Sequence, residues 1–176
     1  TDEIETLDLW DTDLPDINGD TLDSKYAILH GKEKTEQQIH AWRAVERVIS
    51  HFLEADKYVF SLPMWNFGIP YKLKHFFDVI IQPGYTFSYS PDEGYKGLVT
   101  SKPACIICAR GGKYTSEDNS EGLDVQQKYM KLILGFMGIT DVRPIIIQPT
   151  LGGDPEQVQQ VLDLAEEQAR VMAREF

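Results

Sequence analysis

The sequence predicts an α/β domain in which a parallel sheet carries helices on both faces, and three observations predict it. Short apolar runs recur along the chain: KYVFSL at 57–62, ACIICA at 104–109 and VRPIIIQ at 142–148. Between and after them lie stretches whose apolar residues return at helical spacing, three of them opened by Thr35, Pro70 and Pro155. No repeat, low-complexity tract or linker interrupts the series, and 176 residues fit one domain, 1–176, with one core. Strands that alternate with helices close through right-handed crossovers, which makes the sheet parallel.

The elements follow in order. Residues 3–9 (EIETLDL) alternate polar and apolar side chains and predict a strand. Residues 14–25 are rich in Asp and predict a loop. Thr35 is placed as the N-cap of a long helix with Ile39, Trp42, Val45, Val48, Ile49, Phe52 and Leu53 on one stripe. KYVFSL is short and apolar enough for a strand buried on both faces.

Pro70 suits the first turn of a helix carrying Leu73, Phe76, Phe77 and Ile80, and Pro83-Gly84 ends it. Residues 85–89 (YTFSY) alternate at period two and precede the polar turn PDEGYKG, which predicts a small hairpin. ACIICA predicts a buried strand. The polar loop at 113–122 has a length that usually signals function or disorder. A helix over 125–137 ends with Gly138 as its C-cap. In the strand VRPIIIQ, Pro144 predicts an edge position. Pro155 opens a last helix with Val158, Val161, Leu162, Ala165, Ala169 and Met172 on one face and acidic residues on the other.

Composition narrows the function. A formal net charge of −11 repels phosphate backbones, so nucleic acid is not an expected partner. No apolar run approaches the about 20 residues of a membrane span, and no membrane partner is expected. Cys105 and Cys108 form a CxxC, yet residues three apart on a strand face opposite ways, so they read as small core residues. The chain carries no GxSxG, Walker or HExxH motif, and its four histidines are scattered. No metal site and no catalytic acid or base is expected, which leaves the hard chemistry to an organic cofactor.

Ligands of parallel α/β sheets bind outside the carboxyl ends of the strands. Two loops fall there: Met64, Trp65, Asn66 and Phe67 after KYVFSL, and Arg110, Gly111 and Gly112 after ACIICA. Paired glycines let a backbone approach a planar ligand, although a plain turn also uses them. Trp65 and Phe67 read either as core residues tucked under a loop or as displayed rings. The coincidence of two such loops on one edge favours display.

Four segments together carry a resemblance. LPMWNFGIPYKLKHFFD at 62–78, GYTFSY at 84–89, GLVTSKPACIICARGG at 97–112 and LGFMGITDV at 134–142 resemble the FMN-dependent NADH-azoreductases, a bacterial family of flavodoxin-like, three-layer α/β/α fold. The resemblance implies a cytoplasmic homodimer that holds FMN without a covalent bond. It further implies hydride transfer from NADH through the flavin to quinones or azo compounds in a ping-pong sequence. Met64, Trp65, Asn66 and Phe67 would line the isoalloxazine ring, with Ala109, Arg110, Gly111 and Gly112 at its polar edge. Phe67, Tyr89 and Phe136, the last from a second subunit, match positions that shape the substrate pocket.

Three departures accompany the match. Trp65 stands where the family usually has tyrosine, and Ala109 where it has serine or threonine. The family also begins with a strand and a Ser-rich loop that holds the FMN phosphate, whereas this chain begins at Thr1 in what would be the second strand. The expectation is an N-terminally incomplete account of the protein, with FMN binding weak or absent if it is whole. A flavodoxin-like one-electron carrier that docks on a basic protein partner is the rival reading, and a relative without flavin is a third.

Overall fold

A computed structural model describes residues 3–30, 32–33, 35–117, 120–152 and 154–176. Its contacts divide the chain into two units, one of residues 1–55 and 71–86, the other of residues 56–70 and 87–176.

The first unit is helical. Helix α1 (Gly19–Leu29) starts at Asn18, whose side chain accepts from the Thr21 N–H. It occupies a stretch expected to be a loop. The reason lies in what it buries: Thr21, Ser24 and Ala27 face inward at a three-residue spacing, so polar and small residues hide the apolar period. The Ser24 hydroxyl donates to Asp20 O at 2.7 Å and lies 2.8 Å from Gln38 O, which ties α1 to helix α2 (Glu36–Glu54). Thr35 caps α2 in a full capping box with Gln38, as the sequence predicts. Trp42, Val45, Ile49 and Phe52 form its buried stripe. Helix α3 (Tyr71–Ile80) buries Leu73, Phe76, Phe77 and Ile80, and Phe76 meets Phe52 edge to face at 6.0 Å.

Residues 3–8 form no strand. Ile4 is 87% exposed, and the Asp8 carboxylate takes the Trp10 N–H at 2.9 Å. That turn ends the alternation before any ladder forms, and no described strand pairs with it. The polar–apolar pattern is present, but among the described residues no strand pairs with it, and Ile4 stays exposed.

The second unit holds the sheet. Strands β1 (Tyr58–Pro63), β4 (Ala104–Ala109) and β5 (Val142–Ile147) run parallel in the order β1-β4-β5, with Pro63 opposite Ala109 and Ala109 opposite Ile147. Pro144 thus lies on an edge strand among the described residues. Among the described residues β1 is the other edge, and Val59 is 62% exposed, so β1 is not buried on both faces as its composition suggests. Between β1 and β4 the chain makes an antiparallel hairpin, β2 (Phe87–Ser90) and β3 (Gly94–Gly97).

Helix α4 (Val125–Met137) ends on Gly138 at φ +103°, the left-handed cap that glycine permits. Gly97 packs against this cap so closely that a Cβ would lie 2.2 Å from Gly138 N, so the hairpin can rest there only on glycine. Helix α5 (Pro155–Glu175) covers one face of the sheet: Ala165, Ala169 and Met172 pack with Cys105, Ile107, Ile145 and Ile147. Its stripe is narrower than predicted, with Leu162 at 42% exposure. Of the loop at 113–122, residues 118 and 119 lie outside the described residues, and Glu121–Leu123 make a 3₁₀ turn.

Candidate functional site

The turn after β1 is built by backbone strain. The Met64 N–H donates to Ala109 O at 2.8 Å and extends the ladder one residue beyond the strand. Trp65 and Gly68 then exchange backbone bonds of 3.1 and 2.9 Å, closing a tight turn around Asn66 (φ +49°) and Phe67 (φ +69°). Both central residues are left-handed, the type I′ pattern. Asn tolerates it, whereas a Phe there costs about 1–2 kcal/mol. The Gln126 N–H holds Phe67 O at 2.8 Å and fixes the strained residue. The result displays Trp65 and Phe67, each 45% exposed, instead of folding them into a core.

The loop after β4 does the reverse. The Arg110 N–H donates to Ile147 O at 2.9 Å, and Arg110 O accepts from the Thr150 N–H and hydroxyl at 2.8 and 2.9 Å. The Arg110 side chain is 2% exposed and turned inward. Its Nε donates to Gln126 Oε1 at 3.0 Å, Nη2 to Asp124 Oδ1 at 2.9 Å and Nη1 to Gln148 Oε1 at 3.3 Å. A Cβ on Gly111 would lie 2.9 Å from Leu151 Cδ1, and one on Gly112 would lie 3.4 Å from the Tyr114 hydroxyl. The N–H groups of Asn66, Phe67, Gly111 and Gly112 have no hydrogen-bond partner among the described residues.

These two loops leave adjacent strands side by side. Together they make a shelf of exposed rings and unpaired donors. Tyr114 joins it, its ring 6.2 Å from Phe67 and nearly perpendicular. Sequence reasoning missed Tyr114 and Gln148. Tyr114 stood as an aromatic residue two places past Gly112 in a polar loop, a signal open to reading; nothing local marked Gln148.

Tyr89 and Phe136 also come together, on the hairpin. Tyr95 bridges them, with ring centroids 4.9 Å from Tyr89 and 5.6 Å from Phe136, and Phe87 lies tilted against Phe136 at 4.8 Å. Phe136 thus rests on the hairpin of its own chain. The cysteines do not form a reactive pair. Cys105 faces α5, both are buried and unbridged, and burial pushes the Cys108 thiol up to about 11. Among the described residues no group of three His, Cys, Asp or Glu is placed to hold a metal ion, and no helix is long and apolar enough to cross a membrane.

Comparison with known proteins meets this geometry. The family model described as flavodoxin-like fold matches residues 1–172. An FMN-dependent NADH:quinone oxidoreductase of Desulfotalea psychrophila is 48% identical over 98% of this chain and 81% of its own length. The crystal structure of an azoreductase from Bacillus anthracis superposes with a TM-score of 0.86 at 31% identity, over 97% of this chain and 80% of that one. An FMN-dependent NADH-azoreductase from Bacillus anthracis, solved in complex with FMN, gives 0.82 at 31% identity, over 95% and 80%. The chain belongs to the flavodoxin-like family of FMN-dependent NADH:quinone oxidoreductases and azoreductases.

Membership in this flavodoxin-like family confirms the α/β class read from the sequence and the parallel order of the strands. It also accounts for where the strained turn after β1 lies. In such sheets the carboxyl ends of the strands form the ligand edge, and Asn66 and Phe67 put their left-handed backbone there.

Proposed function

We propose that this chain is an FMN-dependent NADH oxidoreductase that passes two electrons to quinones or azo compounds. The observation that carries it is the shelf: two exposed rings and four unpaired N–H groups on loops that Met64 N and Ala109 O join at 2.8 Å. The names of the relatives support the same cofactor, donor and acceptors.

The residues fit the ring of FMN. A planar heterocycle edged with acceptors needs flat apolar contact and backbone donors that can come close, and both are present without rearranging a paired group. Met64, Trp65, Asn66, Phe67, Ala109, Gly111 and Gly112 are assigned to hold it, with Arg110 shaping the loop from beneath. When bound, FMN supplies the two-electron redox chemistry between NADH and the acceptor.

The chain's own work is positional. Trp65 and Phe67 exclude water from a flat apolar surface on which one planar partner at a time can lie, which suits a ping-pong order. The N–H groups of Gly111 and Gly112 would serve as fixed donors that stabilise negative charge on a ring held there. Phe67, Tyr89 and Phe136 are assigned to the acceptor pocket, in a homodimer. NADH as donor fits a cytoplasmic protein.

The test is direct. With FMN and NADH added, purified protein is expected to oxidise NADH at a rate that depends on an added quinone or azo dye. Acceptor-independent NADH loss, or none, overturns the reading. The one-electron carrier has no specific observation in its favour, because the shelf displays rings suited to a small planar acceptor.

A further inference from the structure

Every segment bordering the shelf is tied to one buried guanidinium. The three residues that accept from Arg110 are each bonded in turn to backbone at or beside the shelf, Gln126 through both its backbone and its side chain, Asp124 at the first turn of α4 and Gln148 at Tyr114. Gln126 donates its N–H to Phe67 O at 2.8 Å, and its Nε2 reaches Leu62 O at 3.5 Å, so it spans the end of β1 and the strained turn. Asp124 Oδ1 also accepts from the Gln127 N–H at 3.0 Å, which sets the first turn of α4 and with it the direction of the Gln126 N–H. Gln148 Oε1 also accepts from the Tyr114 N–H at 3.3 Å, and Tyr114 is the residue packed on Phe67 and Gly112.

A buried ion pair is a poor device for stability alone, since well-packed apolar residues usually do as well. Its use is to fix geometry. A non-glycine residue at φ +69° persists only where its surroundings over-determine it. The planar fork of Arg110 supplies that constraint in three directions at once, which no other side chain type matches.

We infer that Arg110 is a positioning residue: its guanidinium locks the turn at 64–68 and the loop at 111–114 into their ligand-ready shape through Gln126, Asp124 and Gln148, without holding the ligand itself. The ligand named is the FMN of the proposed function, on which only the binding arm of the test rests.

The experiment compares Arg110→Lys, Gln148→Leu and the core variant Ile106→Val by amide hydrogen exchange, all without FMN. Ile106 is fully buried in β4, where it pairs with Phe60 and Pro144 rather than with the strand ends, so its variant reports general loosening. Arg110→Lys is expected to speed exchange about tenfold at the bonded N–H groups of Met64, Trp65, Gly68 and Tyr114 beyond the Ile106→Val change elsewhere, the scale of one charged hydrogen bond. Gln148→Leu leaves the ion pair with Asp124 intact, so exchange is expected to speed at Tyr114, which loses its acceptor, and at Thr115 beside it, while Met64, Trp65 and Gly68 stay as in the parent. Loosening that spreads to those three overturns the inference if the lysine variant does not fold. Uniform loosening that matches Ile106→Val, or unchanged exchange in both loops, overturns the inference. In the binding arm, FMN titrated against tryptophan fluorescence is expected to bind Arg110→Lys about tenfold more weakly than the parent. A parent that binds no FMN overturns the functional reading, and the exchange result still decides the role of Arg110.

Discussion

The turn after β1 and the loop after β4 start from paired residues, Pro63 and Ala109, yet offer solvent opposite parts of the chain. The turn bends its backbone into the left-handed region and displays side chains, Trp65 and Phe67. The loop buries its first side chain, Arg110, and displays backbone through Gly111 and Gly112. The difference teaches how a shelf divides its labour. Apolar contact comes from one strand end and directed N–H groups from the next, so the two can be varied separately. Substitutions in the turn should act through ring area and backbone strain, and those in the loop through approach and polarity.

The largest effect is expected at Phe67. Phe67→Ala removes the ring that meets Tyr114 and keeps the strained backbone, for a loss of about 1–2 kcal/mol in denaturant unfolding. Phe67→Gly removes the same ring but relieves the left-handed residue, and should be about 1 kcal/mol more stable than the alanine variant. That sign is the reverse of the usual order of alanine and glycine in regular structure. Equal stabilities would break the claim that the turn stores strain. Both variants are expected to lose acceptor reduction about tenfold or more, because the wall is gone in each.

A second effect reaches both loops from below. Cys108 lies opposite Leu62, one residue before Ala109, and burial raises its thiol from 9.0 to about 11. An unfolded chain releases that proton first. The group therefore stabilises the fold fully below about pH 9, and the contribution is lost as pH rises through about 11. Urea midpoints of the parent should fall over this window, while Cys108→Ala should fall less. Curves that stay a constant distance apart would show that the thiol does not ionise late.

Much of this was legible in sequence, and the failures have physical causes. Capping residues and one-sided apolar periods placed α2, α3 and α4 closely, because Thr35, the Phe76-Phe77 pair and Gly138 each act within a turn of the chain. α1 was hidden because its buried positions are Thr21, Ser24 and Ala27, satisfied by hydrogen bonds that no apolar period records. Residues 3–8 carried a strand pattern, but a pattern does not supply a pairing partner. At the shelf, position after a strand was enough to find both loops. The inward turn of Arg110 was not legible, since its three acceptors are 14 to 38 residues away and meet it only in the fold.

Gly111 gives a smaller, cleaner contrast with Phe67. A Cβ there meets the end of Leu151, a flexible side chain that is 76% exposed, so Gly111→Ala should change unfolding stability by only about 0.5 kcal/mol. The displaced Leu151 carries the N–H that bonds Gly111 O at 3.2 Å, so the loop backbone shifts with it. FMN affinity should fall several-fold, about the worth of one neutral hydrogen bond. A stable variant with unchanged affinity would move the donors elsewhere.

The smallest effect separates the two displayed rings. Trp65 has no left-handed backbone of its own, since the positive φ angles belong to Asn66 and Phe67. Trp65→Tyr should therefore leave the turn and its stability unchanged within about 0.5 kcal/mol. It trims ring area at the open side of the shelf and adds a hydroxyl, a change that different acceptors feel unequally. The ratio of kcat/KM for a bulky azo dye to that for a small quinone is expected to shift about threefold, with FMN affinity held within about twofold. A loss of FMN affinity larger than the shift in that ratio would place Trp65 with Phe67 as part of the cofactor's support. A shift in the ratio alone would make the turn itself two-sided, with Phe67 facing the cofactor's grip and Trp65 the choice of acceptor.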